Sequence, residues 1–207
     1  MNGETTVEPK VHVGRKLYLV PLVLEVKQGP EGYNERVETY WKEVAEHVAK
    51  LEARFGQIRK VYHESFVEEG EAALTIIQET NPRAHRMIER KVRKGAELVP
   101  IEDPELLREA VDWGRCLAIV SSVNAFRHVS GLYQEARRKR SEAMIERIDT
   151  SLQDEEAGLL IIGQEHGLQF PPDIQVFYVS PPSLDEIQRL LREHTARTET
   201  GQDSASN

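Results

Sequence analysis

The pattern of apolar and polar positions predicts one short strand that is buried on both faces. Four consecutive apolar residues, 159–162, stand between Gly158 and Gly163. An apolar run bounded by turn residues is typical of a strand in a parallel sheet. Glu165 and His166 follow in a glycine-flanked turn. Because parallel sheets bind ligands beyond the carboxyl ends of their strands, this turn is a candidate site. The alternative is a turn that only shapes the backbone, with His166 solvated.

Apolar spacing predicts four further strands and the helices that connect them. Strands are expected at 16–26, 58–66, 96–101 and 174–179, and helices at 36–55, 71–79, 82–94, 105–148 and 184–194. Pro21 cannot donate a ladder hydrogen bond, so the first strand should bulge or end there. A break near Ser130 and Gly131 is expected to divide the long helical region, and its apolar first part is expected to be buried. This order predicts an α/β fold with a mainly parallel sheet of about five strands and helices on both faces.

The domain organisation follows from where this pattern begins and ends. Residues 1–13 are polar and predict a flexible N-terminus, and residues 195–207 are poor in apolar side chains and predict a disordered tail. Between them, residues 14–194 are predicted to form a single α/β domain.

Composition excludes several classes of protein. The chain is 39% hydrophobic and 30% charged, with a net charge of −8, which disfavours nonspecific binding to nucleic acid. No apolar run approaches the length of a membrane span, and the N-terminus lacks the apolar core of a signal peptide. We therefore expect a cytoplasmic protein that binds neither nucleic acid nor a membrane. Cys116 is the one cysteine, so no intrachain disulfide and no cysteine-based metal cluster can form.

Several polar residues are predicted to share the carboxyl edge of the sheet. They are Glu25, His63, Glu64, Glu102, Glu165 and His166. Carboxylate and imidazole groups together suit a divalent metal ion or general acid–base chemistry.

Two basic segments have a simpler interpretation. The helix at 82–94 and the basic turn at 137–140 could each bind an anionic partner, but a solvated face that offsets acidic neighbours is the commoner case.

Three of these segments carry a resemblance to a known family. Glu64 follows a strand, Arg140 lies on an amphipathic helix, and Gly-Gln-Glu-His at 163–166 follows the apolar strand. This trio resembles the TraB–Tiki and erythromycin-esterase-like superfamily over about residues 16–180. Members of that superfamily show a Gly-x-x-His after the first strand, then a Glu, then an Arg usually followed by Asn or Asp, and then a second Gly-x-x-His.

The resemblance implies a hydrolase-like function. The superfamily includes metal-dependent peptidases, esterases and haem-uptake-associated proteins, so the expected substrate is a small molecule or a peptide. Glu64, Arg140 and His166 would be the catalytic residues, with Arg140 stabilising a developing anion. Glu64, Glu165 and His166 would hold a divalent metal ion.

The chain also departs from the superfamily pattern. No histidine follows the first strand, where Glu25 is a conjectural replacement ligand, and Ser141 follows Arg140 in place of Asn or Asp. A second hypothesis is therefore a non-catalytic binding or self-assembling protein that kept the fold and lost the chemistry, with the basic helix supporting a homo-oligomer. A small-molecule binding module is the third, although no phosphate-loop or Gly-x-Gly-x-x-Gly motif occurs and no cofactor-binding residue is assigned.

Overall fold

The computed structural model describes residues 14–27 and 29–203, so the predicted flexible segment 1–13 lies outside the described residues. The strands are β1 (Arg15–Pro21), β2 (Ile58–His63), β3 (Glu97–Leu98), β4 (Ala157–Ile162) and β5 (Ile174–Tyr178). The helices are α1 (Tyr33–Phe55), α2 (Gly70–Thr80), α3 (Pro82–Val92), α4 (Pro104–Ile119), α5 (Val123–Ser151) and α6 (Pro182–Asp203). Strands that alternate with helices confirm the predicted α/β fold class.

The five strands form one sheet in which every pairing is parallel. The strand order is β3-β2-β4-β1-β5, so β4 is the central strand. All six residues of β4 are buried, as its apolar sequence predicts. β1 ends at Pro21, and the next backbone N–H, from Leu22, donates to the carbonyl of Ile162 at 2.8 Å. Since all strands run the same way, their carboxyl ends meet at one edge of the sheet.

Side chains that alternate along β1 and β4 build a core on each face of the sheet. On one face, Tyr18, Val20, Leu159 and Ile161 pack with the buried sides of α1, α2, α3 and α6. On the other face, the partners of the sheet come from α5 and from the residue that follows it. They are Met144, Ile148 and Leu152, which pack on Leu17, Leu19, Leu160 and Ile162. The prediction of helices on both faces is therefore confirmed.

The long helical region divides at a different place from the predicted one. The break lies at residues 120–122, where Val120 is extended and the Ser122 hydroxyl accepts a hydrogen bond from the Ala125 N–H at 3.2 Å. α5 continues through Gly131, so the predicted break near Ser130 and Gly131 is wrong. The N-terminus of α5 is therefore determined by the N-capping residue Ser122, and the glycine inside the helix does not interrupt it.

α4 also differs from expectation, because it lies on the surface. Ala110 is its single buried residue, and Cys116 is half-buried. α4 packs chiefly against α5 rather than on the sheet. The expectation that this apolar segment would be buried is therefore wrong.

The last helix is longer than the sequence predicts. α6 is anchored by the buried side chains of Leu184 and Ile187 and continues beyond residue 194 to Asp203. Of the predicted disordered tail, 195–207, the part up to Asp203 is thus helical, and 204–207 lie outside the described residues. A helix nucleated by packing can propagate through polar residues, since each further residue adds a hydrogen bond. No helix in the described part of the chain is long and apolar enough to cross a membrane.

Candidate functional site

Residues from three distant segments line one cavity at the carboxyl edge of the sheet. Glu64 follows β2, and its backbone N–H donates to the Ile161 carbonyl of β4 at 2.9 Å, which holds it beside the central strand. His166 lies in the turn after β4, and Arg140 lies on α5. These three side chains line a cavity of about 250 Å³. Adjacent parallel strands and one covering helix therefore bring the three predicted catalytic residues together.

Arg140 is held by two carboxylates, and one of them is fully buried. Its Nε donates to Glu102 Oε2 at 2.8 Å, its Nη2 donates to Glu102 Oε1, and the same Nη2 lies 3.0 Å from Glu64 Oε1. The Glu102 side chain is 0% exposed and also accepts from the Ser65 N–H at 3.0 Å. Burial alone would lower the pKa of Arg140, but Glu102 and Glu64 outweigh it and raise that pKa above its ordinary value. The guanidinium is thus a permanent, compensated cation.

Glu64 is oriented by a backbone donor as well as by Arg140. Its Oε2 accepts from the Gly163 N–H at 2.6 Å. A Cβ added at Gly163 would lie 3.2 Å from that oxygen, so the glycine permits this close approach. A carboxylate offers about four lone-pair sites, and these contacts leave some of them available to a ligand or water in the cavity.

His166 is oriented by its own turn. Its Nδ1 accepts from the Leu168 backbone N–H at 2.9 Å. Burial lowers the pKa of His166 and the charge of Glu64 partly opposes this, so the imidazole is neutral at neutral pH. With Nδ1 accepting, the proton of the neutral ring sits on Nε2. His166 lines the cavity, and Nε2–H is the hydrogen-bond donor that its ring offers.

The predicted metal ligands do not form a metal-holding group. Among the described residues, no group of three or more His, Cys, Asp or Glu side chains is placed to hold a metal ion. A ligating imidazole usually donates its second N–H to an acceptor, whereas His166 Nδ1 faces an N–H donor. Glu64 is already paired with Arg140, whose positive charge opposes a cation, and the Glu165 side chain is exposed. The divalent metal ion therefore stays a prediction, which these existing contacts of Glu64 and His166 do not favour.

Other polar residues of the predicted edge lie elsewhere. Glu25 pairs with Arg83 of α3 at 2.8 Å and does not line the cavity. His63 is buried and packs near the ring of Phe66, with centroids 5.6 Å apart. The basic helix α3 offsets acidic neighbours, as the simpler interpretation holds, since Arg83 also pairs with Glu38 at 3.0 Å.

Two site residues were missed or left without a role by reasoning from sequence. Glu102 was recognised only as a polar residue at the sheet edge, yet it holds Arg140. Arg137 was assigned to a surface basic turn, yet it lines the cavity, and its Nη2 donates to the Glu165 carbonyl at 2.6 Å. Spacings of three and four residues on α5 place Arg137, Arg140 and Ser141 on one helix face, and this spacing was the available signal.

The fold and the cavity together define an α/β protein with a polar site at the carboxyl edge of an all-parallel sheet. Comparison with protein families, with characterised proteins and with solved structures finds no match for this chain. The resemblance to the TraB–Tiki and erythromycin-esterase-like superfamily therefore stays a prediction.

Proposed function

We propose that the cavity is the site of a hydrolase-like reaction on an ester or amide, of the kind that the superfamily resemblance implies. One observation carries the proposal. The Glu64 carboxylate and the His166 imidazole line the same cavity, and each is oriented by a backbone N–H, from Gly163 and Leu168 respectively. Such fixed polar groups can stabilise a transition state without reorganising during the reaction.

The two residues have different roles in this proposal. Glu64, whose side chain is 20% exposed, accepts a proton from a water molecule that attacks the substrate carbonyl. When the tetrahedral intermediate collapses and the bond to the alcohol or amine breaks, Glu64 returns that proton to the leaving group. His166 donates from Nε2 to the carbonyl oxygen, where negative charge develops. Arg140 is a positioning residue, because it holds Glu64 and is itself held by Glu102. None of these steps requires a metal ion.

Hydrolysis of a panel of p-nitrophenyl esters and anilides tests this proposal. Glu64→Gln keeps the shape of the side chain but removes the base, so kcat should fall by about 10²-fold or more. Lys139→Gln is the control, because Lys139 is exposed on α5 and does not line the cavity. Equal activity in Glu64→Gln and in the control would overturn the assignment of Glu64.

The predicted divalent metal is tested on the same samples. Metal analysis of purified wild-type protein and of His166→Ala would show whether an ion is bound through His166. Hydrolysis in the presence of a chelator is the matching functional measurement. A metal-independent mechanism predicts less than one equivalent of metal and unchanged activity.

Self-association without catalysis is the second candidate, and a different surface favours it. Where α4 meets α5, Ile119, Val123 and Phe126 are 79%, 73% and 53% exposed. A hollow of about 510 Å³ lies on the same face of α5, from Val123 to Gln134, and Phe126 and Gly131 are among the residues that line it. Two copies related by a twofold axis could each place Phe126 in the hollow of the other.

Light scattering tests this second candidate. Self-association predicts twice the mass of one chain for wild type and a monomer for Phe126→Glu. A wild-type monomer at high concentration would exclude it. A dimer could also be a hydrolase. The panel of p-nitrophenyl esters and anilides is therefore measured on the same protein, to test whether self-association and hydrolysis occur together.

A further inference from the structure

A groove continues outward from the cavity. It has a volume of about 750 Å³ and runs between α5 and the segment 167–169 that follows His166. Arg137, Ser141 and His166 line both the groove and the cavity. Pockets of about 300–1,000 Å³ hold small organic ligands. A substrate whose reacting carbonyl lies in the cavity would therefore extend past Arg137 into the groove.

Arg137 differs from Arg138 and Arg140 because it forms no ion pair with a carboxylate in the part of the chain that the structure describes. Arg138 pairs with Glu135 at 2.7 Å and with Glu142 at 2.6 Å. Arg140 pairs with Glu64 and Glu102. For Arg137, by contrast, no ion pair is found within the described residues. Its guanidinium donates to a neutral carbonyl, that of Glu165, at 2.6 Å and lies 5.7 Å from the centre of the Tyr133 ring.

The other charged groups along the groove are already engaged or stand further along α5. Glu142 is held by Arg138, and Asp149 is held by Arg15 at 2.6 Å. Glu146 lies nine residues from Arg137, about 13 Å along the helix at its ordinary rise. Ser141 stands one turn from Arg137 on the same helix face and lines both spaces. A fixed guanidinium beside a hydroxyl is suited to a carboxylate or a phosphate.

We infer that Arg137, with Ser141, binds an anionic group of the substrate where the cavity opens into the groove. The substrate class is then an ester or amide that carries a carboxylate or phosphate beyond the reacting carbonyl. The hydrolytic part of this inference rests on the proposed function, whereas the binding of an anion does not. Arg137 determines specificity, and Arg140 serves only to position Glu64.

Anion binding is measured first, without turnover. Inorganic phosphate and acetate are each titrated at constant ionic strength while the backbone amide signals of residues 163–168 and Ser141 are followed by NMR. Wild type should show saturable shifts with at least one of the two anions. Arg137→Gln should weaken that binding about tenfold or more, since hydrogen bonds to charged groups are among the strong ones. Lys139→Gln should bind as wild type does.

Substrate preference is measured second, with three p-nitrophenyl esters of similar acyl length: the neutral butyrate, the succinate monoester, which carries a carboxylate, and the 3-phosphonopropionate, which carries a phosphonate. Wild type should favour an anionic ester, and Arg137→Gln should lose that preference through a KM about tenfold higher, with kcat changed little. Arg137→Lys should recover part of it. Equal melting temperatures for wild type and Arg137→Gln would separate this effect from a loss of structure.

The outcomes distinguish the inference from the proposed function. Anion binding that depends on Arg137, without Glu64-dependent hydrolysis, would support the inference and defeat the proposed function. Glu64-dependent hydrolysis that shows no preference for anionic substrates would support the proposed function and defeat the inference about Arg137. Phosphate and acetate that bind Arg137→Gln as tightly as Lys139→Gln, or that shift signals only outside the cavity and groove, would overturn the inference.

Discussion

Glu102 and Arg140 form a two-point ion pair in which the carboxylate is completely excluded from solvent. The side chain of Glu102 is 0% exposed and that of Arg140 is 18% exposed. Thirty-eight residues separate them in the chain, and their contact ties the segment after β3 to the middle of α5. Through Arg140 the pair also determines the position of Glu64. Stability and the candidate chemistry therefore depend on the same contact.

Removing one member of this pair should be strongly destabilising. Glu102→Gln leaves the Arg140 guanidinium with Glu64 as its remaining carboxylate, and breaking a buried pair in this way typically costs about 3–5 kcal/mol. Urea denaturation measures the change. The control is Glu135→Gln, which breaks an exposed pair with Arg138 and should cost little, because solvent screens exposed ion pairs. Similar decreases in the free energy of unfolding in the two variants would show that the buried pair contributes no more to stability than the exposed one.

A methyl group at Gly163 should displace the Glu64 carboxylate. The added Cβ would lie 3.2 Å from Glu64 Oε2, which is the nearest atom to it and belongs to a side chain that can move. Gly163→Ala should lower Glu64-dependent hydrolysis about tenfold or more, because small misplacements of catalytic groups are costly. Thermal unfolding should change little. Gln164→Ala, at the exposed neighbouring residue, is the control, and equal activity in both variants would contradict the expected displacement.

The meeting of Glu64 and His166 was predictable, whereas the partners of Arg140 were not. The carboxyl ends of neighbouring parallel strands must share an edge of the sheet. The positions of Glu64 and His166 just after two apolar strands were therefore enough to predict that they lie close together. Which side chain reaches Arg140 depends on how α5 rotates about its axis and where the segment after β3 passes. These are properties of tertiary packing that no local pattern contains. The pairing of Glu102 with Arg140 therefore depends on tertiary packing.

The division of the helical region failed for a related reason. Gly131 disfavours helix by about 1 kcal/mol relative to alanine, which made a break there plausible. Ser122 instead caps α5 through the Ala125 N–H, and α5 is held over its second half by Met144, Ile148 and Leu152. Packing of that half outweighs the propensity of a single glycine. Periodicity identified the helical segments correctly but could not rank two competing boundaries.

A side chain at Gly158 should strain the packing around the central strand. A Cβ there would lie 3.0 Å from Leu17 Cδ1 and 3.0 Å from Tyr62 Cε2. Gly158→Ala should lower the free energy of unfolding by about 1–3 kcal/mol, the usual cost of overpacking a core. Gly131→Ala is the matched control, because nothing lies within 4 Å of its Cβ and the helix should gain about 0.5–1 kcal/mol. Urea denaturation of dilute protein measures both free energies of unfolding. A change of the same sign in Gly158→Ala and in Gly131→Ala would refute this prediction.

The buried His63 should make the protein less stable in mild acid. Burial lowers the pKa of His63, and the Glu64 carbonyl and the charges of Glu64 and Glu102 only partly oppose it. The neutral ring donates from Nδ1 to that carbonyl at 2.5 Å, and Nε2 has no hydrogen-bond partner within the described residues. An added proton would therefore be buried and unpaired. The folded state resists protonation at a pH where the unfolded chain accepts it.

The sign of the pH dependence follows from this difference. Above a pH of about 6.5, the ordinary pKa of histidine, neither state is protonated at this residue and the contribution of His63 to stability is complete. As pH falls below that value, the unfolded state binds the proton first, and the free energy of unfolding decreases by up to about 1.4 kcal/mol per pH unit. Urea denaturation between pH 7.5 and 5 measures this slope. His63→Gln should flatten it, while His166→Gln should leave most of it in place. A slope unchanged by His63→Gln would assign the acid sensitivity to another group.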